Sequence, residues 1–463
     1  MESAEGPKPA LRRDLGTLES YAVLVGILVG AGIFVVTSEA TLATGPSVIL
    51  AHLVLAPVVW ATSVAYQVFL STPLGAQPGG EVLHLASTLR SPRVAFLAAW
   101  LKVISYVAAC AYLADALAVN LLELVDPGGD HGPGITRSVA LLSLAFFLMI
   151  HLVGVRWFGR LQVAMCMVLA VALLVLIVPG LPAIEFKNFQ PFFTGGASGF
   201  TSALPPLFFA YAGFEALSQA AGEVRDSRTR LPRIYTRGVL GTALIFIAMS
   251  LVAFGVLPAE QVGASGVPMS RAAATYLPFG AQVIVTLGAV MAVGTSLNAS
   301  MLVPARLAWT MAREGHMPSV FAQVHPKRRT PVCGLLVSTA MMAGLLISGR
   351  MGLALGISVV ALMILYWSHS LALILLPHKN PELYSQVDTS ISRPLQLIAA
   401  YTSVIALAVI IGLQFQSDLK HMFEAPLRSR WAAFDLSSLE LLGLWTGLGL
   451  ALDHLRRRSV QAR

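Results

Sequence analysis

Charge is what this sequence is short of. Only 12% of its 463 residues are Asp, Glu, Lys or Arg, while 56% are hydrophobic. Soluble domains carry about 25% charged residues, so a water-facing surface over one core is excluded. A mean hydropathy of +0.75 calls instead for lipid, whose contact surface needs no charge. Cysteine is scarce as well. Cys110, Cys166 and Cys333 fall in or beside apolar runs without CxxC spacing, which excludes a disulfide framework and a thiolate metal site. Small buried packing residues are the reading that remains. There is no HExxH, and histidines and carboxylates do not cluster in the apolar runs. A membrane-embedded enzyme would need such a constellation, so the chain does not read as an enzyme, and no metal or cofactor is expected beyond a coupling ion. The net charge of +8 could suggest nucleic acid in a soluble protein. Here the basic residues sit in short loops between apolar runs and read as topology signals, with no nucleic-acid partner.

What is present is apolar length. About twelve segments approach the ~20 residues that a bilayer requires, at 18–43, 46–72, 93–124, 135–153, 158–182, 197–221, 234–257, 276–312, 332–348, 353–376, 393–417 and 431–453. The expected fold is all-α and integral to the membrane. The first segment is too long and glycine-broken for a cleaved signal peptide, and residues 1–17 before it read as a short cytoplasmic tail. With Lys8, Arg12 and Arg13 inside, the other inner connections carry Arg90 and Arg93, Arg156 and Arg160, and Arg225 to Arg237. Further along come Arg313, Lys327 to Arg329, Lys379 and Arg393, then Arg456 to Arg458 in the tail 454–463. The loop after the third segment is acidic, with Glu123, Asp126 and Asp130. This asymmetry places both termini in the cytoplasm of a multi-pass protein of the cell (plasma or inner) membrane.

Two segments are interrupted. The first contains "GILVGAGIFVV", with Gly26, Gly30 and Gly32, although glycine inside a helix costs ~1 kcal/mol relative to alanine. The sixth contains "PPLFFAYAGFEALSQAAGE", with Pro205, Pro206 and Gly213, and an acid, Glu215, at membrane depth. Broken segments five helices apart point to an inverted-repeat transporter whose site lies at the breaks. The repeats would be 18–182 and 197–376, with 393–453 as two added helices. Freed N–H groups at the first break can hold an anionic group. The competing reading of Gly26 and Gly30 is close helix packing. A channel would instead need a selectivity ring.

With these stretches on the page, the chain resembles the amino acid–polyamine–organocation (APC) transporters. "GILVGAGIFVV" looks like their first-helix glycine motif and "FFAYAGFEAL" like their sixth-helix motif. "AGEVRDSRTRLPRIYTRG" is similar to the loop that follows, "SLNASMLVPARLAWTMAREGHMP" to the end of helix eight, and "PLGAQPGGEVLHLAS" to the loop after helix two. The resemblance covers about residues 18–380 in order and implies the LeuT-type 5+5 inverted repeat with broken helices one and six. It implies an amino acid permease working by alternating access. The amides around Gly30, Ala31 and Gly32 would hold the substrate carboxylate. Carbonyls near Phe209, Ala210 and Tyr211, with Gly213 at the break, would take the amino group, and Phe209 matches a gating aromatic. Donors on one side and acceptors on the other suit a zwitterion without burying a full charge. The small residues Gly30, Ala31 and Ala210 hint at room for a medium or large neutral side chain. A polyamine or organic amine is the alternative substrate. It would want cavity carboxylates, and only Glu215 and Asp115 offer them.

Coupling departs from part of the family. The lysine that many relatives carry midway along helix five aligns with Leu169, and that helix has no lysine. Gly26, Val29, Ala292, Thr295 and Ser296 resemble the second sodium site of LeuT-type symporters, so Na+ enters as a candidate coupling ion; the competing reading is that Thr295 and Ser296 hydrogen-bond back to carbonyls of their own helix. Proton coupling and substrate exchange stand beside it. Glu215 matches a family acid tied to pH response in some antiporters, and competes with a structural hydrogen bond. Lys102 reads either as snorkelling to the cytoplasm or as a cavity-facing replacement for the missing lysine. Asp115 reads as gate or vestibule polarity. His369 is read as a hydrogen-bonded packing residue, with a proton relay as the alternative. No cysteine lies in an outer loop, so no obligate partner subunit is expected. The partners are an amino acid and the bilayer.

Overall fold

The structure, a computed structural model, describes residues 15–32, 34, 37, 40, 44–77, 79–263, 268–424 and 436–461. Most of the expected N-terminal tail, with Lys8, Arg12 and Arg13, and most of the outer half of the first span lie outside the described residues. The principal helices in order are α1 (Thr17–Ala31), α2 (Val48–Ser71), α3 (Gly80–Leu89), α4 (Pro92–Val125), α5 (Pro133–Val153), α6 (Val155–Gly180) and α7 (Gly196–Phe209). There follow α8 (Glu215–Gln219), α9 (Ser227–Val256), α10 (Phe279–Arg313), α11 (Val332–Ser348), α12 (Met351–Lys379), α13 (Arg393–Glu424) and α14 (Ser438–Gln461). Eight helical stretches among the described residues are long and apolar enough to cross a membrane by length and composition. The protein is an all-α membrane protein, and its only β feature among the described residues is one isolated parallel bridge, Leu15 to Val224.

Local chemistry sets the joints. Prolines open α4 and α5 at Pro92 and Pro133, where a missing N–H costs nothing and φ is already helical. A single residue, Gly154, separates α5 from α6 at φ +130°, a conformation that side-chain-bearing residues rarely adopt. The chain can therefore reverse between two long spans without a loop.

α4 and α10 form the buried centre, packed on one another. α10 also packs on α6 and α1, α2 on α9, and α12 on α4. α5, α6 and α13 turn large apolar side chains outward instead, among them Leu142, Met149, Leu174 and Ile405. An apolar exterior on this scale is a lipid-facing surface. α14 docks on α4 through Trp100 and Trp445. Their rings stack at 4.3 Å, and each indole N–H donates to the other residue's carbonyl at 2.8 Å.

Candidate functional site

The sixth span is broken. α7 ends at Phe209, residues 210–214 turn, and α8 resumes at Glu215. Pro205 and Pro206 withhold amide donors from the preceding turn of α7. Gly213 sits at φ +104°, and a Cβ there would lie 2.8 Å from Ile27 Cγ1. Both the backbone conformation and the close approach require glycine at this point.

The first span departs from regular α geometry at the same level. α1 closes on Ala31, and Gly32 and Phe34 are π-helical. The Thr37 hydroxyl donates to the Gly32 carbonyl at 2.8 Å. Gly32 meets the other break: a Cβ on it would lie 2.4 Å from the Ala210 carbonyl oxygen. Gly26 and Gly30 play a different part. Both lie within α1, and a Cβ on Gly30 would come within 2.4 Å of the Ala292 carbonyl oxygen, while one on Gly26 would meet Gln162 Nε2 at 2.6 Å. These two glycines let α1 approach α10 and α6 closely, and only Gly32 belongs to the interruption.

Between the two breaks is a cavity of about 40 Å³ bordered by Gly32, Tyr106, Phe209, Gly213, Ser296 and Ser300. That volume suits waters and is too small for an amino acid. Tyr211 turns its side chain away from the cavity. Its hydroxyl lies 3.1 Å from His52 Nδ1, and its ring packs on Phe246.

Glu215 is fully buried beside the cavity and surrounded by donors. The hydroxyls of Tyr106 and Tyr366 donate to its two oxygens, and the Gly213 N–H donates at 3.1 Å. All three contacts are ones that a carboxylate accepts. Lys102 does not reach the cytoplasmic water. It is fully buried and ion-paired with Glu81, which is itself fully buried on α3. Burial raises the Glu81 pKa above the ordinary carboxylate value, and the Lys102 ammonium opposes that shift. Gln219, one turn after Glu215 on α8, donates to Gly79 O at 2.9 Å and to Glu81 Oε2 at 3.4 Å. His369 packs against His84 with a ring-nitrogen separation of 3.0 Å, and burial next to Lys102 lowers the His84 pKa to about 3. Asp115 is half-buried in α4.

The candidate cation positions are close together. Thr295 Oγ1 donates to Gly26 O at 2.8 Å and to Ala292 O at 2.6 Å, and Ser296 Oγ donates to Ile27 O at 3.0 Å. Val29 is buried in the next turn of α1. Beside them Gln162 Nε2 donates to Ala22 O at 3.2 Å and Thr295 O at 3.1 Å, joining α6 to α1 and α10. Leu169, where the family lysine would stand, is a buried apolar residue of α6.

Towards the end bearing the Arg225 to Arg237 cluster the path is shut. Arg306 on α10 makes a two-point ion pair with Glu223, both buried. Leu15 N donates to Glu223 O, and Arg225 N to Leu15 O, each at 3.0 Å.

Sequence reasoning missed Tyr106 and Tyr366 as the partners of Glu215, Glu81 as the partner of Lys102, and Gln162. One signal pointed to Glu81: a lysine inside an apolar run needs an acid, and Glu81 stands in the quoted loop after the second span. The tyrosines gave no such signal.

Comparison with known proteins identifies the family. The amino acid permease family model matches residues 15–424. The chain is 25% identical over 395 residues to a methylthioribose transporter of Bacillus subtilis, covering 82% of this chain and 85% of the relative. It is 23% identical over 398 residues to the branched-chain amino acid permease BcaP of the same organism, covering 82% and 84%. It is 27% identical over 337 residues to the chloroplastic cationic amino acid transporter 9 of Arabidopsis thaliana, covering 68% and 58%. These relatives are transporters and not enzymes, and with a family match across nearly its whole length the chain belongs to the amino acid permease family of the APC superfamily.

Proposed function

We propose that this permease carries a zwitterionic amino acid by alternating access, bound where the two interrupted spans meet. The contact between Gly32 and Ala210 carries this reading, because it brings both breaks to one small cavity. Of the amides at Gly30, Ala31 and Gly32, that of Gly32 lies at the interruption, and those of Gly30 and Ala31 would join it in receiving the carboxylate once the last turn of α1 unwinds. Carbonyls at Phe209, Ala210 and Tyr211 end α7, whose dipole favours a cation there, and would receive the amino group. The cavity must enlarge for an amino acid to enter. The Arg306–Glu223 pair and the Leu15–Val224 bridge are the contacts that opening towards the basic end would break.

Helix pairing supports the two repeats, 18–182 and 197–376. A five-helix offset maps the third span on the eighth and the second on the seventh, which are the pairs α4–α10 and α2–α9. It maps the fifth-with-eighth pair, α6–α10, on the tenth-with-third pair, α12–α4. The basic loops support an orientation with both termini cytoplasmic.

Sodium enters through one observation: the Thr295 hydroxyl lies within hydrogen-bond reach of the Gly26 and Ala292 carbonyls, and the Ser296 hydroxyl within reach of the Gly26 carbonyl. Such a hard-oxygen set fits a monovalent cation. Gly26, Val29, Ala292, Thr295 and Ser296 would hold it, and when bound it would tie α1 to α10.

The test is uptake of a labelled amino acid pool into proteoliposomes, in sodium or choline buffer, with empty or amino-acid-loaded vesicles. Sodium-dependent uptake into empty vesicles, lost in Thr295→Ala, is the expected result for the cation set. Uptake confined to loaded vesicles and indifferent to sodium would remove that set and leave an exchanger. Absence of uptake in every arm would overturn the amino acid reading and direct the assay to organic amines.

A further inference from the structure

Among the fully buried ionisable side chains are two acids and one lysine, Glu81, Glu215 and Lys102. They lie on three elements that meet, α3, α4 and α8. Glu81 and Lys102 neutralise one another. Glu215 is held by two tyrosine hydroxyls and one backbone N–H and has no cation of its own. The other titratable groups that face this cluster are Tyr106 on α4, Tyr66 on α2, Tyr235 on α9, Tyr366 and His369 on α12, and His84 on α3. None of them supplies a positive charge: the tyrosines are neutral, and burial beside Lys102 keeps His84 neutral. Two carboxylates and one ammonium leave the interior one negative charge in excess. An uncompensated buried charge costs several kcal/mol. A zwitterionic substrate brings no net charge to correct it.

We infer that Glu81 is an exchangeable proton site, charged in one half of the transport cycle and protonated in the other. Protonation places a hydrogen on a Glu81 oxygen, drawn from water on one side and returned to water on the other, and no other bond forms or breaks. The Lys102 charge, freed from its partner, then balances Glu215. The path between them is short: Lys102 Nζ lies 5.6 Å from the centre of the Tyr106 ring, whose hydroxyl donates to Glu215. Glu81 takes this role rather than Glu215 because of their shells. The oxygens of Glu215 already accept three hydrogen bonds. Oε2 of Glu81 receives one long side-chain hydrogen bond, from Gln219 at 3.4 Å, and has room for a proton. Gln219 also passes the change on, since it sits on α8 and ties the inner half of the sixth span to Gly79 and Glu81. Burial favours the neutral acid at Glu81 and raises its pKa, so the site can hold a proton at a pH where an exposed glutamate would have lost it.

This inference rests on the amino acid transport reading, and the experiment separates the two. The full chain is reconstituted with a trapped pH-sensitive dye in sodium-free buffer under clamped membrane potential, and the amino acid pool is added outside. Wild type should change the lumen pH as substrate enters. Glu81→Gln, fixed in the uncharged form, should lose the pH change and the pH dependence of uptake, yet still exchange labelled for unlabelled amino acid. Uptake by wild type without any pH change overturns the proton site and leaves the transport reading standing. A pH change that persists in Glu81→Gln places the proton elsewhere and also overturns it. Should Glu81→Gln not accumulate, Glu81→Asp decides: a shifted pH midpoint of uptake supports the site, and an unshifted one rejects it. No uptake by wild type removes both readings together.

Discussion

At the scale of single residues the site depends on what cannot be substituted. Gly213 combines a backbone at φ +104° with a close approach to Ile27, and a sparsely populated backbone conformation costs ~1–3 kcal/mol for a residue with a side chain. Gly213→Ala should therefore insert in the membrane but lose most amino acid uptake, with a lower thermal midpoint in detergent. Wild-type uptake in that variant would mean that the break does not shape the site. Glu215 makes a second case. Glutamine there turns one acceptor into a donor that faces the hydroxyls of Tyr106 and Tyr366 or the Gly213 N–H, leaving buried groups unpaired at ~1–3 kcal/mol. Tyr366→Phe removes a donor and leaves the carboxylate the other two. Glu215→Gln should lower the thermal midpoint more than Tyr366→Phe, and the reverse order would contradict the all-donor shell. Glu215 was legible in the sequence because a lone acid in an apolar run has few explanations. Its tyrosines lie 109 and 151 residues away and look like ordinary packing aromatics until the fold brings them in. The same distance hid the role of Lys102, whose partner comes from a loop helix and not from another span.

At the scale of elements, most helices were legible because apolar runs of about 20 residues have few alternatives, and the sixth-span break was legible because two prolines and a glycine occupied one turn. Helix ends were harder. The seventh span was expected from residue 234, but α9 begins at Ser227, and the last was expected to end at 453, but α14 continues to Gln461. Hydropathy marks where a helix leaves lipid, whereas Arg228, Arg230 and Arg233, and Arg456 to Arg458, are good helix formers that let the helix run beyond it. The pairing between elements was not legible at all, and the closure at the basic end depends on it. Arg306 on α10 and Glu223 after α8 are buried as a pair. Removing one partner strands the other charge, which costs ~3–5 kcal/mol for a buried pair. Arg306→Met should sharply lower the thermal midpoint, and adding Glu223→Gln should restore part of the loss. A double variant less stable than Arg306→Met would show that the two charges act independently.

At the scale of the whole molecule, the charge distribution proposes which way the chain lies in the bilayer. The loop between α4 and α5 is acidic, with Asp126 and Asp130, whereas the connections around Arg90, Arg156, Arg225 to Arg237 and Lys327 to Arg329 are basic. Basic loops stay on the cytoplasmic side, so we propose that the end with the Arg306–Glu223 pair faces the cytoplasm. Two single-cysteine variants test this in a background with Cys110, Cys166 and Cys333 replaced by serine. In intact cells, a membrane-impermeant thiol reagent should label cysteine at Gly128, in the acidic loop, and spare cysteine at Lys379. Permeabilised cells should label both. The opposite pattern would invert the molecule and put the Leu15–Val224 bridge and its ion pair outside. The proton held at Glu81 would then enter from the other side, because α3 lies in the loop between the second and third spans and moves with whichever face that loop occupies.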